Sequence, residues 1–360
     1  QSKAFIGEIE GFLAVLEDRL IEFKEVYFRG MTLTEEEMIE LFYFKFTETP
    51  LLNRMDAIKD YFIDSWETLN GRNISDDDQE TLQMKFDKMY KTKDIYAIYN
   101  WMLEDCGCNL LPDVPYEKRK LPYEDVFPML YLKYRLSGGN STHKNIKHLV
   151  IDEMQDYSYL QYTILEMLFH CRMTILGDRA QTLDTKQQDV LRFLPKLLGR
   201  EIRTIEIKKS YRNTLEIARY AEKVSGVSDL ELLDRHGKEV VEKTFNTDTE
   251  LLDELVCHLK CPGDFETAAL ITTTEEEAFD LSRLLKLRGI NVSYVDRNSS
   301  AFKKGLTVTT FYLAKGLEFD QVFALRGAKE NPLKNQAEYI CATRALHELY
   351  VYEIADSLSK

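Results

Sequence analysis

Apolar residues recur three and four positions apart along the first hundred residues: Phe12, Leu16, Leu20 and Phe23, then Met38, Leu41, Phe42 and Phe46. That spacing gathers them on one face of a helix and predicts residues 1–110 to be helical. Thr34-Glu35-Glu36-Glu37 is a capping-box start, because Thr34 can accept from the Glu37 amide while Glu37 reaches back. Ser75-Asp76-Asp77-Asp78 opens another helix in the same way, with acids at the positive end of the dipole. Asn70-Gly71-Arg72-Asn73 is the turn between them. From Cys106 to Pro122 the prolines 112, 115 and 122 predict a loop, and Tyr123–Leu136 resumes helix.

The pattern then changes to short apolar blocks. Leu149-Val150-Ile151 is a run without polar interruption, expected to be a strand buried on both faces of a parallel sheet, and Met173-Thr174-Ile175-Leu176 a second buried strand. Between them Tyr157-Ser158-Tyr159 starts a helix carrying Leu160, Ile164, Leu165, Leu168 and Phe169. Strand, helix, strand is the parallel βαβ arrangement. A second α/β series follows. Strands are predicted at Arg203–Ile207, Ala268–Thr272, Val292–Val295, Leu306–Thr310, Gln321–Leu325 and Glu348–Ile354. One helix runs through Ile217, Tyr220 and Val224; a second is capped by Thr274 with Glu277 and ends near Gly289; Tyr339–Ala345 opens the last helical segment. The fold class is α/β with parallel sheets.

Composition narrows the picture. With 44% hydrophobic and 30% charged residues, 360 residues suffice for two or three domains of an ordinary globular protein. The six Cys form neither a disulfide scaffold nor a zinc pattern, so buried thiols in a reducing cytoplasm are expected. No apolar run reaches transmembrane length, and no membrane association is expected. Gln1 in place of Met predicts an excised or processed chain. The net charge is −14, and residues 1–100 hold 12 Lys/Arg against 21 Asp/Glu, so the N-terminal region is no nucleic-acid groove by itself.

The chemistry centres on Asp152-Glu153-Met154-Gln155-Asp156, directly after the first apolar strand. Carboxylates at the carboxyl end of such a strand stand where open α/β sheets bind ligands. One acid can hold hydrated Mg²⁺ there, and its neighbour can orient or deprotonate a water. A bare acidic strand-to-helix turn would look the same, so the other motifs decide. Gly177-Asp178 with Gln181, Ser210-Tyr211-Arg212-Asn213, Lys315-Gly316-Leu317-Glu318-Phe319-Asp320 and Tyr339–Ala345 follow in order.

Together these five stretches resemble the UvrD/Rep-type superfamily 1 helicases, whose motifs read D-E-x-Q-D, G-D-x-x-Q, Y-R, K-G-L-E-F-D and Y-x-A-x-T-R-A. The resemblance spans residues 145–355. It implies two P-loop NTPase (RecA-like) motor domains, the first incomplete: a helical insertion over 1–120, the remainder of the first motor over 121–190 and the second over 191–360. It further implies that ATP and Mg²⁺ are used. Asp152 would hold the metal and Glu153 would activate water. Gln155 and Gln181 would sense the γ-phosphate, and Tyr211 would stack on the base. Arg212 and Arg344 would reach the γ-phosphate, and Glu318, beside Gly316, would contact the sugar.

Three departures qualify the resemblance. No G-x-x-x-x-G-K-[ST] occurs, and Gly138-Gly139-Asn140-Ser141-Thr142-His143-Lys144 has the wrong order for a phosphate cradle, so that loop is expected upstream of Gln1 and this chain alone is expected to bind ATP weakly. Thr182-Leu183-Asp184-Thr185 lacks the family's DNA-stacking aromatic, and Phe311-Tyr312-Leu313-Ala314 replaces its usual His. The roughly 95 residues between Arg212 and Thr307 leave no room for a large second-domain insertion. These departures, with Tyr312–Asp320 and Asp156-Tyr157-Ser158, resemble the HelD (helicase IV-like) branch, which implies an ATPase that engages RNA polymerase through residues 1–120; DNA is the other partner the wider resemblance implies. A motor-like docking module without turnover and a strand-translocating DNA helicase are the competing readings.

Overall fold

The amphipathic stripes of the N-terminal region fold as helices around one core. In the computed structural model, which describes residues 2–139, 143, 145–182, 190–199, 202–226, 231–260, 265–299, 304–326 and 332–355, the chain divides into two units. The first comprises 1–152, 157–176 and 190–200; the second comprises 153–156, 177–189 and 201–360. Asn140, Ser141, Thr142 and Lys144 of the glycine-rich stretch, Cys261, and Leu183, Asp184 and Thr185 lie outside the described residues.

In the first unit, α1 (Lys3–Leu20) is capped by Ser2 and buries Ile9, Phe12, Leu16 and Leu20 on one stripe. Strands β1 (Val26–Phe28) and β2 (Met31–Leu33) then pair antiparallel. This hairpin corrects the expectation of unbroken helix, and Phe23 falls beyond α1. Val26 and Phe28 are buried while Tyr27 is exposed, and Arg29 and Gly30 turn at φ 43° and 86°. Two left-handed residues between alternating strands is the hairpin geometry whose twist matches the strands.

Helix α2 (Glu35–Glu40) has the expected Thr34–Glu37 capping box and runs into a π-turn over Leu41–Lys45, leaving Phe46 just outside. Helix α3 (Arg54–Asn70) ends at left-handed Gly71, and α4 (Asp76–Asp87) starts at Ser75. Helix α5 (Ile95–Asp105) is capped by Asp94, and α6 is Tyr123–Ser137. Tyr43, Tyr99 and Tyr131 donate to Asp18, Asp125 and Glu10, tying helices across the core. Burial, then the Asp18 carboxylate, pushes the Tyr43 hydroxyl up to about 12.

Strand β3 (His148–Ile151), α7 (Tyr159–Leu168, capped by Ser158 with Gln161) and β4 (Arg172–Ile175) form the expected parallel βαβ, with Leu149 opposite Met173. Helix α8 (Val190–Leu197) follows. The predicted burial on both faces does not hold. Ile151 is buried but Val150 is 61% exposed, and Thr174 and Leu176 are exposed. Among the described residues this sheet has two strands, and two strands cannot screen both faces of each other.

The second unit begins with β5 (Lys209–Ser210), α9 (Leu215–Ser225) and β6 (Glu231–Leu232), the two strands pairing parallel. Then come β7 (Val241–Phe245), α10 (Asp248–Lys260), β8 (Thr267–Thr272), α11 (Glu275–Leu287), β9 (Ser293–Tyr294), β10 (Gly305–Thr310), β11 (Phe319–Arg326), α12 (Lys334–Arg344) and β12 (Ala345–Ile354). Six strands pair all-parallel in the order β7-β12-β11-β8-β10-β9.

Alternation along the central strands sends side chains to two cores. Ala269, Ile271, Val322, Ala324, Leu349 and Val351 pack with Ile217 and Tyr220 of α9 and Ile340 of α12. Their neighbours Leu270, Phe323, Tyr350 and Tyr352 pack with Leu255 of α10 and Leu285 of α11. Helices therefore cover both faces, as parallel sheets require. The architecture is α/β.

Two sequence expectations change here. Arg203–Ile207 is not a strand; Ile205 and Ile207 are 69% and 80% exposed, because no described strand lies alongside to pair with it. Tyr339–Ala345 closes the last helix instead of opening it, since α12 begins at Lys334.

Candidate functional site

Residues 153–156 and 177–182, the turns that follow β3 and β4, belong with the six-stranded sheet in the second unit. Glu153 sits at φ 52°. A left-handed glutamate costs about 1–3 kcal/mol, the kind of strain that collects at functional sites. Gln155, 7% exposed, donates to Glu153 Oε2 at 2.6 Å and accepts from the Asp178 amide at 3.0 Å. Gly177 makes this approach possible: a Cβ there would lie 2.5 Å from Gln155 Oε1 and 2.7 Å from the Met154 nitrogen.

Asp178 caps the turn by accepting from the Ala180 amide at 2.9 Å and from Gln181 Nε2 at 3.0 Å. It also accepts from the Tyr339 hydroxyl of α12 at 2.8 Å. Burial, then the Asp178 charge, raises the Tyr339 hydroxyl well above its ordinary range. One turn further along α12, Arg344 is 2% exposed and donates to Gln181 Oε1 at 3.3 Å and to the Leu317 carbonyl at 3.4 Å. Its Nε is buried with no partner among the described residues.

Arg344 is held below the ordinary guanidinium range, first by burial and then by the Arg212 charge; Glu153, Glu318 and Asp178 oppose the fall. Those causes place three carboxylates and a second guanidinium in the field of one buried arginine. Arg212 pairs through Nε with Glu318 at 2.8 Å, both side chains about half exposed. Lys315, its side chain 8% exposed, meets Asp156 at 2.6 Å.

The structure thus brings Glu153, Gln155, Gln181, Arg212, Glu318 and Arg344 together in the second unit. Tyr211 stands beside Arg212 and is 65% exposed, and Gly316 turns at φ 76° before β11. Asp152 ends the β3 segment and belongs to the first unit. The sequence reading gave no role to Asp178, Tyr339, Lys315, Asp156 or Asn213. Asn213 clamps the end of α12 through the Ala342 and Ala345 carbonyls, at 3.2 and 2.6 Å. All five lie inside the motifs, so motif membership was the available signal; their pairing is set by the tertiary fold.

Chemically, the arrangement offers an acid near a buried cation that has an unspent donor, and two glutamine amides. A polyanion suits such a place, since an orphaned buried donor is costly until something accepts from it. Among the described residues no three His, Cys, Asp or Glu cluster as a metal cage. Mg²⁺ commonly takes one or two carboxylates and completes its shell with water and substrate phosphates, so a single Asp is compatible with it. Among the described residues no helix is long and apolar enough to cross a membrane.

Residues 24–183 match the family of the UvrD/REP helicase N-terminal domain. No curated protein matches the chain. Among solved structures, the C-terminal domain of a possible DNA helicase from Lactobacillus plantarum WCFS1 is 25% identical, with 40% of this chain and 88% of that one covered and a TM-score of 0.33. The PRRSV helicase is 16% identical, covering 73% and 46%, with a TM-score of 0.35. Arterivirus nonstructural protein 10 (helicase), solved with DNA, is 15% identical, covering 57% and 40%, with a TM-score of 0.33. The chain spans less than half the length of these two viral helicases. The family match supports a UvrD-like helicase.

Proposed function

We propose that this chain is part of an ATP-dependent UvrD/Rep-like motor acting on nucleic acid, and that the cluster around Arg344 is its γ-phosphate site. What carries the reading is Arg344 itself: a buried guanidinium whose Nε has no partner among the described residues, held beside Gln181 and within the fields of Glu153 and Glu318. Phosphoryl transfer asks a protein mainly to position groups and neutralise charge.

Glu153 would orient the attacking water and take its proton, with Gln155 fixing the carboxylate through the 2.6 Å bond. Arg344 and Arg212 would neutralise the charge that builds on the phosphoryl oxygens. A planar guanidinium that stays charged even when buried suits that task. Tyr211 would stack on the base and Glu318 would contact the sugar. Mg²⁺, held by Asp152, would supply charge neutralisation across the phosphates. Residues 1–120 would form an insertion, 121–190 the rest of the first motor domain and 191–360 the second.

The test is ATP turnover by the full-length protein. Glu153→Gln is expected to lower kcat about 10²–10⁴-fold, and Arg344→Ala about 10³–10⁵-fold. Turnover unchanged in both would end this reading. The finer assignment, to the polymerase-associated HelD branch, predicts that the protein co-purifies with RNA polymerase through residues 1–120. Single-strand-stimulated turnover with unwinding would assign a DNA helicase instead.

A further inference from the structure

Residues 233–240 have no regular structure, yet they are fastened to the loop that carries Arg212. The Leu215 amide donates to the Arg235 carbonyl at 2.8 Å. The Gly237 amide donates to Glu216 Oε2, and His236 meets Glu216 Oε1, both at 2.8 Å. The approach is close: a Cβ on Gly237 would stand 2.5 Å from Thr214 Cγ2.

Arg235 lies in the middle of this strap. It is exposed, but among the described residues it has no carboxylate partner, the usual use of a surface arginine. Nη1 donates to the Arg212 carbonyl at 3.2 Å, and Nη2 bonds His347 Nδ1 at 2.9 Å. An arginine can only donate, so Nδ1 is unprotonated and the ring proton sits on Nε2. Nε2 faces the Asp320 carboxylate at 3.8 Å, and the ring stacks on Phe265 with centroids 5.7 Å apart. Asp320 is itself fixed by the Thr267 amide at 2.9 Å and the Glu266 amide at 3.1 Å.

Asp320 and Glu318 stand on one segment. Glu318 grips the Arg212 side chain at 2.8 Å, while Arg235 ties the Arg212 carbonyl to His347 of β12. We propose that Arg235 is a positioning residue for Arg212, fixing its backbone to His347 of β12 while Glu318 holds its side chain. This rests on the γ-phosphate reading above for its consequence in turnover, though not for the geometry. Misplacing a reacting group by about 1 Å can cost on the order of 10²-fold.

Two measurements on the full-length protein test it. In the kinetic one, Arg235→Ala is expected to lower kcat ten- to a hundredfold with little change in KM or in the unfolding temperature. The Arg212→Ala/Arg235→Ala double variant should then be no slower than Arg212→Ala. His347→Leu should follow Arg235→Ala, with His347→Gln, which keeps an acceptor for Nη2, milder. Additive losses in the double variant, or a fall in unfolding temperature that accounts for the loss, would overturn the proposal. In the spectroscopic one, the Arg212 Nε–Hε correlation, assigned by its disappearance in Arg212→Lys, should shift or broaden in Arg235→Ala. An unmoved resonance overturns the positioning role whether or not ATP is hydrolysed. Absent turnover in the unsubstituted protein with a shifted resonance would refute the γ-phosphate reading alone.

Discussion

At the scale of single residues, two backbone positions carry the geometry. Glu153 is left-handed at φ 52°, where glycine is at ease and alanine is not. Both Glu153→Gly and Glu153→Ala delete the carboxylate, so their difference isolates the strain. Urea unfolding should find the glycine variant more stable by about 1 kcal/mol, the reverse of the ordinary order, and both should be inactive. Gly177 answers to space instead. Its alanine variant would press on the Met154 nitrogen and Gln155 Oε1, costing about 1–3 kcal/mol by denaturation and detaching Gln155 from Glu153. The identities of Glu153, Gln155 and Gln181 were legible in the sequence because motif order pointed to them. The unspent Nε of Arg344 and its bond to Gln181 were not, since sequence spacing says nothing about which buried donors are left over.

At the scale of elements, local chemistry was the most legible part. The Thr34 and Thr274 capping boxes and the Gly71 stop form as read, because each is settled within four residues. The β1–β2 hairpin was hidden by aromatic residues that also fit a helix period, and Arg203–Ile207 has strand-like alternation with no described partner. The strap against α9 adds a pH prediction. Glu216 is lowered to about 2, chiefly by its bond with His236, and His236 is raised, chiefly by Glu216 and then by Asp234, with Arg219 opposing. The histidine share of the stability is complete below its ordinary 6.5 and fades as pH rises through its raised value. The glutamate share is complete above 4.5 and fades as pH falls toward about 2. The tie is therefore strongest between pH 4.5 and 6.5. Comparing unfolding of the unsubstituted protein with Glu216→Gln across pH 3–9 should give the largest difference in that window; a flat difference would dismiss the tie.

At the scale of the molecule, the two units have separate cores, one largely helical and one built on the six-stranded sheet. Both tryptophans, Trp66 and Trp101, fall in the first unit, so their fluorescence reports that unit alone. Phe323→Ala removes a 1% exposed ring stacked on Tyr350 at 4.6 Å. It should cost about 3–5 kcal/mol in the second unit. The circular-dichroism transition should then move to lower denaturant while the tryptophan transition stays in place. Coincident shifts would show that the units unfold as one.

The sequence by itself determined the order of strands and helices from Ala268 onward, the Thr274 cap and the acids and arginines of the motifs, since these follow from periodicity and from groups only a few positions apart. Tertiary structure decided which of those groups meet. Gln181 and Arg344 are 163 positions apart, and their meeting depends on packed helices and strand register. It also decided burial: an apolar run is covered only where neighbouring strands and helices exist, which holds for Leu270 and Phe323 and fails for Val150.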